Sequence, residues 1–261
     1  MTEYATTARH GQRVSGGALA ATSIKGIRNT RGSFFVVMAA LLAITVFIGF
    51  APTFYLRSSY NPNKELSTLL HVHGFALSAW ILLFLVQTVL IARGSRILHR
   101  RLGWLMAGLA VTILVLMCAA IREQLRRVPP MPPPALALAF GLFDVIVFAM
   151  LVGGAICWRS RPDWHKRLLL AATILLVEAA VVRIVAFHGI HEPLHLMLSQ
   201  VLSAVLFFAP CFIYDWATRR KIHPATIMGL GLIMMDQVAQ PIVLSLPAWT
   251  TFANTIQRMV Q

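Results

Sequence analysis

Seven continuous apolar runs dominate the chain, at residues 34–56, 69–92, 102–121, 135–158, 168–187, 194–216 and 224–247. Each is long enough to cross the hydrocarbon core as a helix, which takes roughly 20 residues. Barrel strands would be shorter and would alternate apolar with polar, so the pattern predicts an all-α, polytopic membrane helix bundle. Proline marks the boundaries: Asn61-Pro62 precedes the second helix, a Pro-rich stretch at 129–134 separates the third from the fourth, and Pro193 and Pro224 open the sixth and seventh. Pro210 and Pro241 fall inside the last two runs and predict kinks. After residue 248 a short tail, 249–261, either lies along the interface as a helix or frays.

Composition explains the solvent. The chain is 58% hydrophobic and 12% charged, with a mean hydropathy of +0.73, whereas a soluble domain is about a quarter charged. A lipid bilayer is therefore its principal partner. A net charge of +14 raises the question of nucleic acid, but the basic residues sit in short clusters between apolar runs and form no polar face, so nucleic acid is not expected. They act instead as topology signals. The tail 1–33 and the turns 93–101, 159–167 and 219–221 carry 16 of the 23 Lys and Arg residues, which places these segments, and the N-terminus, on the cytoplasmic side of a bacterial inner membrane. The chain thus divides into a basic, disordered tail at 1–33, a transmembrane domain at 34–248 and an outer-side tail at 249–261. Cys118, Cys157 and Cys211 lie in or beside apolar runs without any CxxC or CxxCH spacing, and read as packing residues.

The hairpins formed by helices 2–3, 4–5 and 6–7 share a feature. His99-Arg100-Arg101-Leu102, His165-Lys166-Arg167-Leu168 and His223-Pro224 stand at their cytoplasmic turns, and His71 precedes His99 by the same interval as His195 precedes His223. Either an ancestral hairpin was repeated behind a separate first helix, or equal helix lengths alone set the spacing.

Histidine is the main chemical clue, because imidazole is costly in lipid without a partner and is the commonest ligand of metals and haem iron. Eight of the nine histidines form two layers. The outer layer holds His71 and His73 at the start of helix 2, then His188, His191, Glu192 and His195 around the 5–6 turn. His71 and His73 diverge by about 200° on a helix, so one of them faces any given site. That one, with His188, His191 or His195, makes a set able to bind iron, copper or zinc, or to supply both axial ligands of haem b; the other reading is interfacial histidines bonded to headgroups and helix ends. The inner layer holds His99, His165 and His223, of which His99 and His165 stand in matching contexts and either form a second axial pair or attract anionic lipid.

Between the layers lie Asp144, Glu178, Arg183 and Asp236. Charges at that depth cost at least about 3 kcal/mol unpaired, so they should face the interior, with Asp144 or Asp236 paired to Arg183, and serve either as structural ion pairs or as a proton path. Asp215 and Arg219 read as an i, i+4 pair. His73, Trp80 and Gln87 recur every seven residues and should present one stripe to neighbouring helices.

Helix 7 contains no lysine for a retinal Schiff base, and no Walker motif, dinucleotide fingerprint or GxSxG is present. The segments HVHGFALSAWILLFLVQTVL, LHRRLGWLMAG, HKRLLLAATILL and YDWATRRKIHPATIMG resemble a widespread group of uncharacterised bacterial multi-pass membrane proteins, over most of the chain from residue 34. The H-R-R-L and H-K-R-L turns are also similar to those of membrane proteins associated with oxidase maturation, and the histidine layers to two-haem b-type transmembrane cytochromes, from which the chain departs in having no histidine in helix 4. The resemblance implies haem b or another transition metal, a role in electron transport or cofactor handling, and contact with subunits of a respiratory or other membrane complex. A small-solute or proton transporter, a sensor, or an accessory subunit without a cofactor are the alternatives. Whether the protein is an enzyme is left open, and no catalytic residue is assigned.

Overall fold

The computed structural model describes residues 33–60, 65–127 and 133–261. The basic tail and most of the Pro-rich stretch lie outside them. The described residues contain no strand, and seven helices are long and apolar enough to cross a membrane: α1 (Ser33–Tyr55), α2 (Thr68–Ala92), α3 (Arg96–Leu125), α4 (Pro134–Cys157), α5 (Pro162–Phe187), α6 (Pro193–Arg219) and α7 (Pro224–Leu244). An eighth, α8 (Pro247–Val260), follows. The chain is an integral, multi-pass membrane protein.

The helices start where the sequence permits. Proline occupies the first turn of α4, α5, α6, α7 and α8, where its missing N–H is one that no intrahelical carbonyl would have met. The α2 helix begins instead at Ser67, whose hydroxyl accepts from Leu70 N at 3.4 Å. Two helices run further than the apolar pattern predicts: α3 gains residues at both ends and α5 begins six residues earlier, at Pro162. The added turns carry Arg, Lys and His, whose aliphatic stems pack while their heads reach water or partners. Near its far end α1 loosens into a π-helical turn, Ala51–Tyr55, containing Pro52, and Leu56 N bonds back to Ala51 O at 2.8 Å.

Lipid-facing positions stay apolar: Val37, Ile44, Leu82, Val115, Leu202 and Met235 are all exposed. Helix α5 is different, being buried along more of its length than any other span. It packs against α4, α6 and α7, meets α2 where Trp80 Nε1 donates to Thr173 Oγ1 at 3.2 Å, and meets α1 at Gly49, where a Cβ would run into the Ala180 backbone. The stripe expected on α2 does face inward: Trp80 is fully buried against Phe148, Gln87 is buried and His73 is half-buried. The C-terminal tail is helical and lies across the ends of α3, α4 and α7. Trp249 anchors it by donating to Ala135 O at 3.0 Å, and Ala253 is buried beneath it.

The contact at Gly49 predicts an asymmetric result. Gly49→Ala should destabilise by about 1–3 kcal/mol through overpacking, lowering the melting temperature in detergent, while Gly108→Ala, which meets nothing within 4 Å, should leave it unchanged or slightly raised.

Candidate functional site

At the end of the bundle that carries the basic turns, Asp215 on α6 is 1% exposed and Arg167 on α5 is 6% exposed. Arg167 grips Asp215 through Nε and Nη2, while Thr226 Oγ1 at 2.6 Å and the backbone N–H of His223 at 3.1 Å donate to the remaining carboxylate oxygen. Arg219, the expected partner of Asp215, instead donates to Asp163 Oδ2 at 2.7 Å, where Lys166 also pairs. A buried carboxylate needs every lone pair met, and the fork of Arg167 reaches across from α5 as a geometry that Arg219, one turn along the same helix, does not match. Three helices are thereby locked together at one end.

His223 caps α7 by accepting from Ala225 N through Nδ1 at 3.0 Å. Burial, then the Arg167 and Arg219 guanidiniums, hold its imidazole below the ordinary histidine value, against the opposing pull of Asp163 and Asp215. Nearby, the His99 and His165 rings approach to 6.4 Å between centroids at 86°. His165 Nδ1 bonds to Ala155 O at 2.8 Å, and His99 Nδ1 is buried without a partner. This arrangement brings together two of the three inner-layer histidines. The third, His223, packs on Trp164 at 5.4 Å.

The outer layer is more dispersed. His71, His188, His191, Glu192 and His195 are exposed and His73 is half-buried. His71 and His188 each bond through Nδ1 to a carbonyl of their own helix, at Ser67 and Ile184, and His73 Nδ1 is buried without a partner, within electrostatic reach of Arg183. Residues 191–195, His-Glu-Pro-Leu-His, spell H-E-x-x-H, a spacing that on one helix places two zinc ligands on a face beside a general base. Here Pro193 opens α6, so His191 precedes the helix and Glu192 is its N-cap, and the two histidines do not share a helical face. Among the described residues no three His, Cys, Asp or Glu side chains gather in a way that could hold a metal.

The middle of the bundle holds the third group. Asp144 on α4 and Asp236 on α7 bring their carboxyls close enough to interact. Gln240 Nε2 donates to Asp236 Oδ2 at 3.1 Å, and Gln237 Nε2 donates to Glu178 Oε1 at 2.9 Å. Glu178, Asp236, Gln237 and Gln240 are all buried, Asp144 half-buried. By helical rise the three carboxyls lie about 20 Å from the basic end, near mid-membrane. The expected pairing with Arg183 is not formed: Arg183 donates to Ala179 O at 2.8 Å and lies over the Phe50 ring at 4.4 Å. Five residues separate it from Glu178, which turns it about 140° around α5, towards α1 and away from α7.

The two glutamines of this cluster, like Arg167 and Thr226 below, escaped the sequence reading. Their signal was present: α7 has the lowest mean hydropathy of the seven spans, 1.5, and Asp236, Gln237 and Gln240 share one side of it. Comparison with protein-family models, curated proteins and solved structures returns no match.

Two outcomes follow for the basic end. Arg167→Met leaves Asp215 buried without its main partner and should cost about 3–5 kcal/mol, measured as loss of detergent thermal stability, with Arg167→Met/Asp215→Leu recovering part. Because the folded chain resists protonating His223, its stability is full above the ordinary histidine pKa and falls as pH drops through the lowered one. His223→Asn, which keeps a capping oxygen, should flatten the melting temperature between about pH 7 and 5.

Proposed function

We propose that this protein moves protons across the membrane through the carboxyl cluster of α4, α5 and α7. The observation that carries the reading is the contact between Asp144 and Asp236 near mid-membrane, with no cationic side chain among the described residues paired to either. Two carboxyls side by side in an apolar interior are disfavoured from both ionising and hold a proton between them, and a buried acid pair without a fixed counter-charge exchanges that proton at lower cost than one clamped by arginine. The bundle spends its strong ion pairs at the basic end, on Asp163 and Asp215, and leaves the middle unclamped. Glu178, held by an amide and not by a cation, extends the acidic track towards the far end.

The test is proton flux in proteoliposomes under a potassium diffusion potential, followed with an enclosed pH dye. Wild-type protein should accelerate flux above empty vesicles, Asp144→Asn and Asp236→Asn should each reduce it at least tenfold, and His71→Ala should not. Flux at the empty-vesicle level in the wild type, both under the imposed potential and under a salt gradient at zero potential, would overturn the proposal.

A second reading is favoured by one contact. His99 and His165 face each other, and the Nδ1 bond of His165 to a carbonyl is the arrangement that leaves Nε2 as a lone-pair donor. His165, with His99 across from it, therefore suits ligation of haem b or a transition metal, which would supply electron-transfer chemistry, at the basic end and not at the dispersed outer layer. Under this reading purified protein shows a Soret band that shifts with dithionite, or stoichiometric iron, copper or zinc. His99→Ala or His165→Ala abolishes it, and His195→Ala does not. Absence of both signals from the wild type would sink it.

A further inference from the structure

Each glutamine in the mid-membrane cluster spends its amide N–H2 on a carboxylate, and the atoms left over are all of one kind. Gln237 Oε1, Gln240 Oε1 and Asp236 Oδ1 are buried and receive no amide, hydroxyl or guanidinium hydrogen bond. Asp236 and Gln240 are each 1% exposed and Gln237 7%. Reversing either amide would set a carbonyl against a carboxylate, so the surplus is one of acceptors in any orientation. Buried acceptors left without donors cost roughly 1–3 kcal/mol apiece, and oxygen-only surroundings are what a hard cation takes in place of its hydration shell.

We infer that the Asp144, Asp236 and Gln240 oxygens, beside the Glu178–Gln237 pair, form a binding site for a monovalent alkali cation of sodium size, which competes there with the proton shared by the two aspartates. The inference rests on the proton-handling reading and names the second ion. Charge selects the valence. With its proton, the Asp144–Asp236 pair carries one negative charge; when Na+ enters and that proton leaves, two carboxylates and one cation carry the same total. The exchange is one Na+ for one H+, with no bond to carbon broken and no change in the charge buried. A divalent metal would have no such balance. The titratable groups facing Asp236 are Asp144 from α4 and Glu178 from α5; Arg183 is turned towards Phe50.

The experiment uses the full chain in proteoliposomes with an enclosed pH dye. A NaCl pulse at zero membrane potential should drive saturable proton movement opposite to Na+, whereas choline chloride gives none. Gln240→Leu should raise the half-saturating Na+ concentration at least fivefold, and Asp236→Asn should abolish the response. In parallel, NaCl should raise the melting temperature of the wild-type protein in detergent above that in choline chloride, a readout that needs no variant to fold. Proton flux under an imposed potential that is blind to Na+, with no Na+-specific thermal shift, overturns the cation site while leaving the proton reading intact. Absence of flux in both formats removes both.

Discussion

Every part of this bundle depends on α5, the most buried of the seven spans. A helix in lipid has its backbone satisfied internally, but the polar side chains of α5 must find partners among its neighbours, and four of them reach four different helices. Arg167 holds α6 through Asp215, Thr173 holds α2 through Trp80, and Glu178 holds α7 through Gln237, while Arg183 covers Phe50 on α1. Four contacts at successive heights fix four helices around one axis. Close approach does the rest: Gly49 lets α1 reach the Ala180 backbone, and Gly229 lets α7 reach Ala171.

That arrangement sorts the polar chemistry by depth. At the basic end, charges are paired densely and geometrically, which suits a structural lock. At mid-membrane, carboxyls are met by amides and by one another, with no ion pair to them among the described residues. The two regions are joined through α6 and α7, whose inner ends the Asp215 network ties to α5. Pro210 and Pro241 lie inside those two helices, and each removes one N–H from its backbone ladder.

The spans, the proline starts of α6 and α7 and the inward stripe of α2 were legible in the sequence because each is written by local rules: run length, proline at N1, and a period shared by His73, Trp80 and Gln87. Pairing was not. Asp215 and Arg219 satisfy the i, i+4 rule, yet a buried carboxylate is served better by the fork of Arg167 from another helix, a choice made by tertiary packing alone. Asp144, Glu178, Arg183 and Asp236 were identifiable as buried ionisable groups from their depth, but the angle of each around its helix, which turns Arg183 towards Phe50, emerges only once α5 is placed. The matching turns at His99 and His165 did signal a real neighbourhood, whereas the H-E-x-x-H spacing of residues 191–195, which the sequence reading passed over, is split by the helix start at Pro193.

The account turns on a proton held between Asp144 and Asp236 within an apolar bundle. Infrared spectroscopy of the protein in lipid, comparing H2O with D2O, reads this directly from the C=O stretch of a protonated carboxyl. The account predicts such a band at neutral pH, missing from both Asp144→Asn and Asp236→Asn. No protonated-carboxyl band, or one that persists unchanged in both variants, would contradict it.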